Sequence, residues 1–358
     1  MFQSANRRCQ SVVRGSILLA LMLGLSSCSK PSLEQTFLET INTQLILPSY
    51  ASLAQESKKL AELTQLCETP ANRNSLKDQW RTSMTAWQKA QSIQFGPIRE
   101  HNLAWEFQFW PDKKNLIAKK LKPLLIAANA QSQESLKNAS VVTHGLPAME
   151  YLLFDDSVSQ RGNLQAQCEL VQLIGDNIAD TSGLLDAQWQ QYQTQLLNAN
   201  VDNPEYPNAD HAVAVVIDSF LTQVEQMSSR KLTMALGLKT KSQRLNPYFL
   251  ESWRSQHSKE NLQANLSSVE TLLAQGGFHH YLSQKGHPEL AESITNNLLQ
   301  TQVTLDEMSS SLFEQLSAQD DEASQSVQNG LATLTRQFKI DIPAALNIQL
   351  GFNNNDGD

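Results

Sequence analysis

The chain is expected to be all-α, built as two helical bundles. Three observations predict this. Leu, Ala, Gln and Ser dominate, and the Val/Ile/Thr alternation that strands need is nearly absent. Apolar residues recur at spacings of three and four along most of the length. One polar stretch, 201–211, carries Pro204 and Pro207 and separates a helical region at 34–200 from another at 212–358.

The first segment, 1–27, reads as a signal peptide. Arg7, Arg8 and Arg14 precede an apolar run from Ser16 to Leu25, which is shorter than the roughly 20 residues that span a bilayer. Leu25-Ser26-Ser27-Cys28 then puts small residues before a cysteine, the pattern of a lipobox. Cys28 is the expected lipidation site, with 28–33 a lipid-bearing tether; a plain secretory signal with a chance cysteine is the alternative. Ser29, rather than Asp, follows the cysteine, which favours the outer membrane. The expected location is therefore the periplasmic side of the cell envelope, anchored by lipid.

Helical periodicity begins near Leu33 and runs through Phe37, Ile41 and Leu45, then through Leu53, Leu60, Leu63 and Leu66, with Pro48 expected to break the run. Between Asn74 and Ile93, Leu76, Trp80, Met84, Trp87 and Gln91 share one helix face, a stripe that reads first as core. Phe95-Gly96-Pro97 ends that helix. A short segment from Glu100 to Phe109 stops at Trp110-Pro111-Asp112, and Asp112 can cap the stretch from Lys114 to Ala128, where Pro123 should kink or divide the helix. Gly145 permits a sharp turn and Pro147 suits a first helical turn, which sets Glu150 near a helix N-terminus. Further helices are expected over 163–184, 187–199, 212–236, 246–256, 259–275, 288–316 and 322–338. The tail from Leu350 to Asp358 is too polar for a helix and, with Leu350 and Phe352, too apolar for a free end; it should pack.

Without the three signal-peptide arginines the charge is 25 minus 36, or −11, which argues against nucleic acid and against a basic membrane-docking face. Cys67 and Cys168 remain after the lipobox. In an oxidising periplasm such a pair is expected to form a disulfide, two thiols that never meet being the other reading. There is no HExxH, GxSxG, CxxC or phosphate-cradling glycine loop. His279-His280 point in different directions on a helix and read as surface. Glu150 draws attention as a carboxylate in an apolar helix start: it either offsets the helix N-terminus or serves as a ligand in an inter-helix pocket.

Gly145-Leu146-Pro147-Ala148-Met149-Glu150-Tyr151-Leu152-Leu153-Phe154 resembles the signature region of the imelysin-like proteins, bacterial periplasmic and lipoprotein helical proteins linked to iron uptake. Phe95-Gly96-Pro97 and Phe109-Trp110-Pro111-Asp112-Lys113 resemble first-half motifs of the family, and Glu251-Ser252-Trp253-Arg254-Ser255 a second-half motif. Leu350-Gly351-Phe352 and Asp356-Gly357-Asp358 resemble its ending. The resemblance implies two bundles related by duplication with a site in the cleft between them. The chain itself shows only a faint repeat, a tryptophan-bearing helix in each half with Trp80 and Trp87 in one and Trp253 in the other.

The family's GxHxxE motif sets His and Glu on one helix face, where together they could hold a metal. Pro147 stands at the His position here, as in a lipoprotein branch of the family, and proline cannot ligate iron. Gly145 and Glu150 carry over, and His144, ahead of the glycine turn, is the nearby imidazole. The candidate cleft residues are Trp110, Asp112, Lys113, Gly145, Glu150, Trp253 and Arg254, with Glu150 and His144 as candidate ligands for iron or another divalent metal. The leading expectation is a non-catalytic binding or accessory lipoprotein of bacterial iron acquisition, whose partner is an outer-membrane iron receptor or an iron-containing ligand. The alternatives are a metal-dependent peptidase, as the family was once catalogued, and a structural partner of an outer-membrane receptor.

Overall fold

In the computed structural model of the protein the described residues are 30–112, 114–126, 132, 134, 136, 138–161, 163–241 and 243–351. The signal peptide, Cys28, Lys113 and the tail from Phe352 lie outside them. Among the described residues every regular element is helical, as the periodicity predicts, and no helix is long and apolar enough to cross a membrane. The helices belong to the unit that starts at Ser32.

Helix α1, Leu33–Ile41, opens with a capping box in which Ser32 and Gln35 satisfy each other's backbone N–H groups. Pro48 does not break the run. A π-helical turn, Asn42–Ile46, leads directly into α2, Leu47–Thr64, and places Pro48 in its first turn, where a missing N–H costs least. Helix α3, Pro70–Ala90, is capped by Thr69 and buries Leu76, Trp80, Met84 and Trp87, the face read from the sequence. Two short helices follow, α4 (Ala104–Phe107) and α5 (Leu116–Ile126); Pro123 lies inside α5 without dividing it. Next come α6 (Gly145–Phe154), α7 (Asp156–Arg161) and α8 (Leu164–Leu197). The break expected near 185 is absent: α8 is continuous because Leu185, Trp189 and Leu196 keep the buried face in register across Gly183.

Helices α2, α3, α6 and α8 pack together as the first group. Gly175 lets α8 approach α2 closely, since a Cβ there would lie 2.8 Å from the Thr64 methyl. Cys67, just past α2, and Cys168 on α8 form the expected disulfide, with Cα atoms 5.6 Å apart and 101 residues between them in sequence. Closing so long a loop restricts the unfolded chain by an amount on the order of 4 kcal/mol.

After a turn-rich stretch in which Tyr206 is buried, α9 (Ala209–Gln226) runs into a π-helical segment, Met227–Leu232. The helix expected over 246–256 is not formed. A 3₁₀ turn, Pro247–Phe249, and a series of turns replace it, with Ser252 and Gln256 at positive φ. Side chains of this loop bind backbone instead of yielding to a helix, as Asn246 Oδ1 does in accepting from the Tyr248 N–H. Trp253 is therefore a loop residue, and the second of the two tryptophan-bearing helices falls away.

Helices α10 (Ser258–Leu273), α11 (Phe278–Gln284) and α12 (Pro288–Asp306) follow. The segment expected as one helix to 316 divides, with α13 (Leu312–Ser317) restarting behind its own capping box at Ser311 and Glu314. Helix α14 (Glu322–Arg336) continues through a π-helical turn to α15 (Ile342–Leu346). Helices α12 and α14 pair, and α9, α10 and α11 complete the second group. The groups meet where α3 lies on α10, and where α1 lies on α9 and α11. Phe37 of α1 packs its ring 5.6 Å from Phe278 and 5.1 Å from Tyr281.

Candidate functional site

The junction is built around a buried ammonium. Lys231, 3% exposed, donates to Gln88 Oε1 (2.6 Å), Asn265 Oδ1 (2.7 Å) and Glu251 Oε2 (2.8 Å), which engages all three of its protons. Burial pulls the Lys231 pKa down, and the Glu251 carboxylate opposes that pull. Glu251 also accepts from Asn261 Nδ2 (2.8 Å) and, through its other oxygen, from Gln108 Nε2 (2.8 Å). Gln108 Oε1 in turn accepts from Trp87 Nε1 (2.6 Å) and Gln91 Nε2 (3.1 Å). Residues of α3, the 104–110 segment, the π-turn after α9, the 250–257 loop and α10 are thereby joined in one network. Unmet partners are costly in such an arrangement, and the ammonium and carboxylate at its centre are both engaged.

A cleft of about 770 Å³ lies over this network. Trp87, Gln91, Gln94, Gln108, Lys231 and Glu251 are among its lining residues; Trp105 and Trp110 line it from the 104–110 segment, and His211, Asp218 and Thr222 from α9. Trp105 is 56% exposed and makes an edge contact with Phe109, ring centroids 6.1 Å apart.

Of the candidate cleft residues Trp110, Asp112, Gly145, Glu150, Trp253 and Arg254, only Trp110 lines this cleft, and Lys113 lies outside the described residues. Asp112 caps α5, accepting from the backbone N–H groups of Leu116 (2.6 Å) and Ile117 (3.0 Å). Gly145 has φ +73°, and a Cβ there would overlap the carbonyl oxygens of Glu106 and Phe107. Only glycine fits that position. Glu150, 4% exposed, reaches across the junction: its Oε1 accepts from both the backbone N–H and the hydroxyl of Ser255, each at 2.8 Å. Burial raises the Glu150 pKa, and the Ser255 hydrogen bonds and the Arg254 charge act against the rise.

Arg254 donates from Nε to Asp155 Oδ2 (2.9 Å) and stacks on Trp253, its guanidinium carbon 4.3 Å from the ring centroid. Trp253 lies among Tyr248 and Phe313, in a cluster separate from the cleft lining.

His144 is engaged at both nitrogens. Nδ1 lies 2.6 Å from Glu106 Oε2 and Nε2 lies 2.6 Å from the Leu136 carbonyl, two acceptors that call for an imidazolium. Burial alone would lower its pKa, but the bonds to Glu106 and Leu136 outweigh that and leave it raised. His144 and Glu150 thus have separate partners, and among the described residues no group of three or more His, Cys, Asp or Glu side chains is placed to hold a metal ion.

The polar network escaped the sequence reading, although Gln91 gave a signal. It sits on the same face of α3 as Leu76, Trp80, Met84 and Trp87, and an amide on a buried stripe calls for a partner. Glu251 stands at the head of the second-half motif; nothing in the sequence pairs it with Lys231.

The Imelysin family model, also designated Peptidase_M75, matches residues 46–340. The chain belongs to the imelysin family. An imelysin-like protein from Psychrobacter arcticum 273-4 has a similar crystal structure, with a TM-score of 0.78 at 23% identity over 89% of this chain and 97% of that one. A putative iron-regulated protein A precursor from Parabacteroides distasonis ATCC 8503 is also similar, with a TM-score of 0.73 at 15% identity and the same coverage. Among functionally curated proteins none is similar enough to count as a relative. At these identities the two structures establish the imelysin fold for this chain.

Proposed function

We propose that this imelysin is a non-catalytic binding or accessory lipoprotein of bacterial iron acquisition, tethered through Cys28 to the periplasmic face of the envelope, with its site in the junction cleft. The observation that carries the binding role is the make-up of the cleft: tryptophans and amides around an internally neutralised Lys231–Glu251 pair. Clefts that capture small molecules combine apolar surface with a few placed polar groups in this way. Catalysis of peptide cleavage would need an activated nucleophile or water and a set of oxyanion donors. Here Glu150 Oε1 is held by Ser255, and both nitrogens of His144 are engaged. The iron connection rests on the family and on the name of the Parabacteroides protein. The lipid anchor rests on Leu25-Ser26-Ser27-Cys28 behind the arginine-bearing apolar segment.

The test is radiolabelled iron uptake in iron-limited cells lacking the gene. Uptake should fall and be restored by the wild-type chain, but not by Cys28→Ala. Unchanged uptake would sink the iron reading. Metal-dependent cleavage of peptides by the purified protein, lost in Glu150→Ala, would establish the peptidase instead. Co-purification with an outer-membrane receptor, with an empty cleft, would make the chain a structural partner of that receptor.

A further inference from the structure

We infer that the junction cleft recognises a neutral, polyhydroxylated ring, the chemistry of a saccharide, either free or carried on a ferric chelate. The inference rests on the cleft being the binding site, and four observations carry it.

The cleft, about 770 Å³, falls within the roughly 300–1,000 Å³ typical of sites for small organic molecules. Its charged lining residues are of both signs, Arg99, Arg230 and Lys231 with Asp218 and Glu251, so no strong field of one sign singles out a highly charged ligand. The deepest of these charges, Lys231 and Glu251, already hold each other and their amide neighbours.

Gln91 Oε1 and Gln94 Nε2 are shielded from solvent and have no hydrogen-bond partner, one an acceptor and the other a donor. Gln91 is anchored at the other end of its amide, where Nε2 donates to Gln108. Both residues line the cleft, and the terminal torsion of Gln is soft. A sugar hydroxyl both donates and accepts, so a ligand of this class can serve an acceptor and a donor alike.

The fourth observation is the lip. Trp105 exposes more than half its surface beside Trp110, and both line the cleft. A pyranose ring has an apolar C–H face that can cover an indole while its hydroxyls turn to the amides, removing apolar area from water at both partners. A hydrated ion removes no apolar area from water at either tryptophan.

The experiment uses the full mature chain, followed by tryptophan fluorescence and calorimetry. The probes are maltotriose, N,N′-diacetylchitobiose, and a ferric tris-catecholate with and without glucosyl groups. At least one sugar-bearing probe should bind. Trp105→Ala and Gln94→Ala should each weaken that binding about tenfold, equivalent to ~1.4 kcal/mol, with the melting temperature unchanged. Trp105→Phe, which keeps an aromatic face, should retain most of the affinity. Binding of maltotriose or chitobiose identifies a free saccharide, and binding of only the glucosylated chelate identifies a carried one.

Equal binding of the two chelates would overturn the inference while leaving the iron-binding role intact. Binding of no sugar-bearing probe, or sugar binding indifferent to Trp105→Ala, would overturn it as well. Unchanged iron uptake in cells lacking the gene, by contrast, would strike the proposed function and leave sugar binding to stand or fall by itself.

Discussion

The start of α6 and the 104–110 segment border one another, yet their polar groups are put to opposite uses. At Gly145 the α6 backbone comes so close that the Glu106 and Phe107 carbonyl oxygens exclude any Cβ. One turn on, Glu150 is held by Ser255 across the junction. The residues that match the family signature thus serve inside the protein, holding the two helix groups together. On the 104–110 segment, Trp105 stays exposed, and just past the end of α3 Gln91 and Gln94 keep an acceptor and a donor without partners. The difference separates residues that build the junction from residues that can bind at it.

The largest effect should come from the network beneath both regions. Lys231→Met leaves Glu251, Gln88 and Asn265 with buried acceptors and no ammonium, and should cost about 3–5 kcal/mol in urea unfolding. The double variant Lys231→Met/Glu251→Leu should recover much of that loss, because the remaining charge is removed as well. A single-variant loss below about 1 kcal/mol would mean that the junction does not depend on this pair.

Gly145→Ala comes next, with an expected loss of about 2–4 kcal/mol from the positive φ and the crowded carbonyls. A thermal unfolding scan at fixed pH measures it. A neutral outcome would break the contrast, since the motif glycine would then not be structural.

His257 offers a pH-dependent check on the α3 side of the junction, where it lies 3.2 Å from Thr85 Oγ1. Burial, reinforced by the Arg81 charge, lowers its pKa to about 4. In the unfolded chain the imidazole binds a proton below about pH 6.5, and in the native protein only below about 4. Stability contributed by the neutral ring is therefore full above the unfolded value and is lost as pH falls through that window. Denaturation across pH 7 to 4 should show an uptake of about one extra proton on unfolding that disappears in His257→Gln.

The smallest effect should be that of Trp105→Ala, within about 0.5 kcal/mol of wild type, because so much of the ring faces solvent. A loss above about 2 kcal/mol would make Trp105 a core residue and erase its difference from Gly145.

Much of the fold was legible because helices advertise themselves locally. The stripe on α3, the cap at Asp112, the turn at Gly145 and the cysteine pair all reappear as expected. Breaks were harder to place. Pro48 was absorbed by a π-turn, and α8 ran through the predicted gap at 185. The loop at 250–257 has a composition that a helix could tolerate, and only contacts from Glu150 and within the loop draw it into turns.

By itself the sequence determined that the chain is helical, which faces are apolar, where Cys67 and Cys168 stand, and that Gly145 permits a sharp turn ahead of α6. Each follows from periodicity, backbone sterics or residue type, properties that act over a few positions. Only the tertiary structure decided that Lys231 meets Glu251, that Glu150 meets Ser255 rather than His144, and that Trp105, Gln91 and Gln94 share a cleft. Hydrogen bonds between side chains more than a hundred residues apart, such as Lys231 to Gln88 and Glu150 to Ser255, depend on how whole helices cross. That crossing is set by the packing of both apolar faces at once, and no local pattern encodes it.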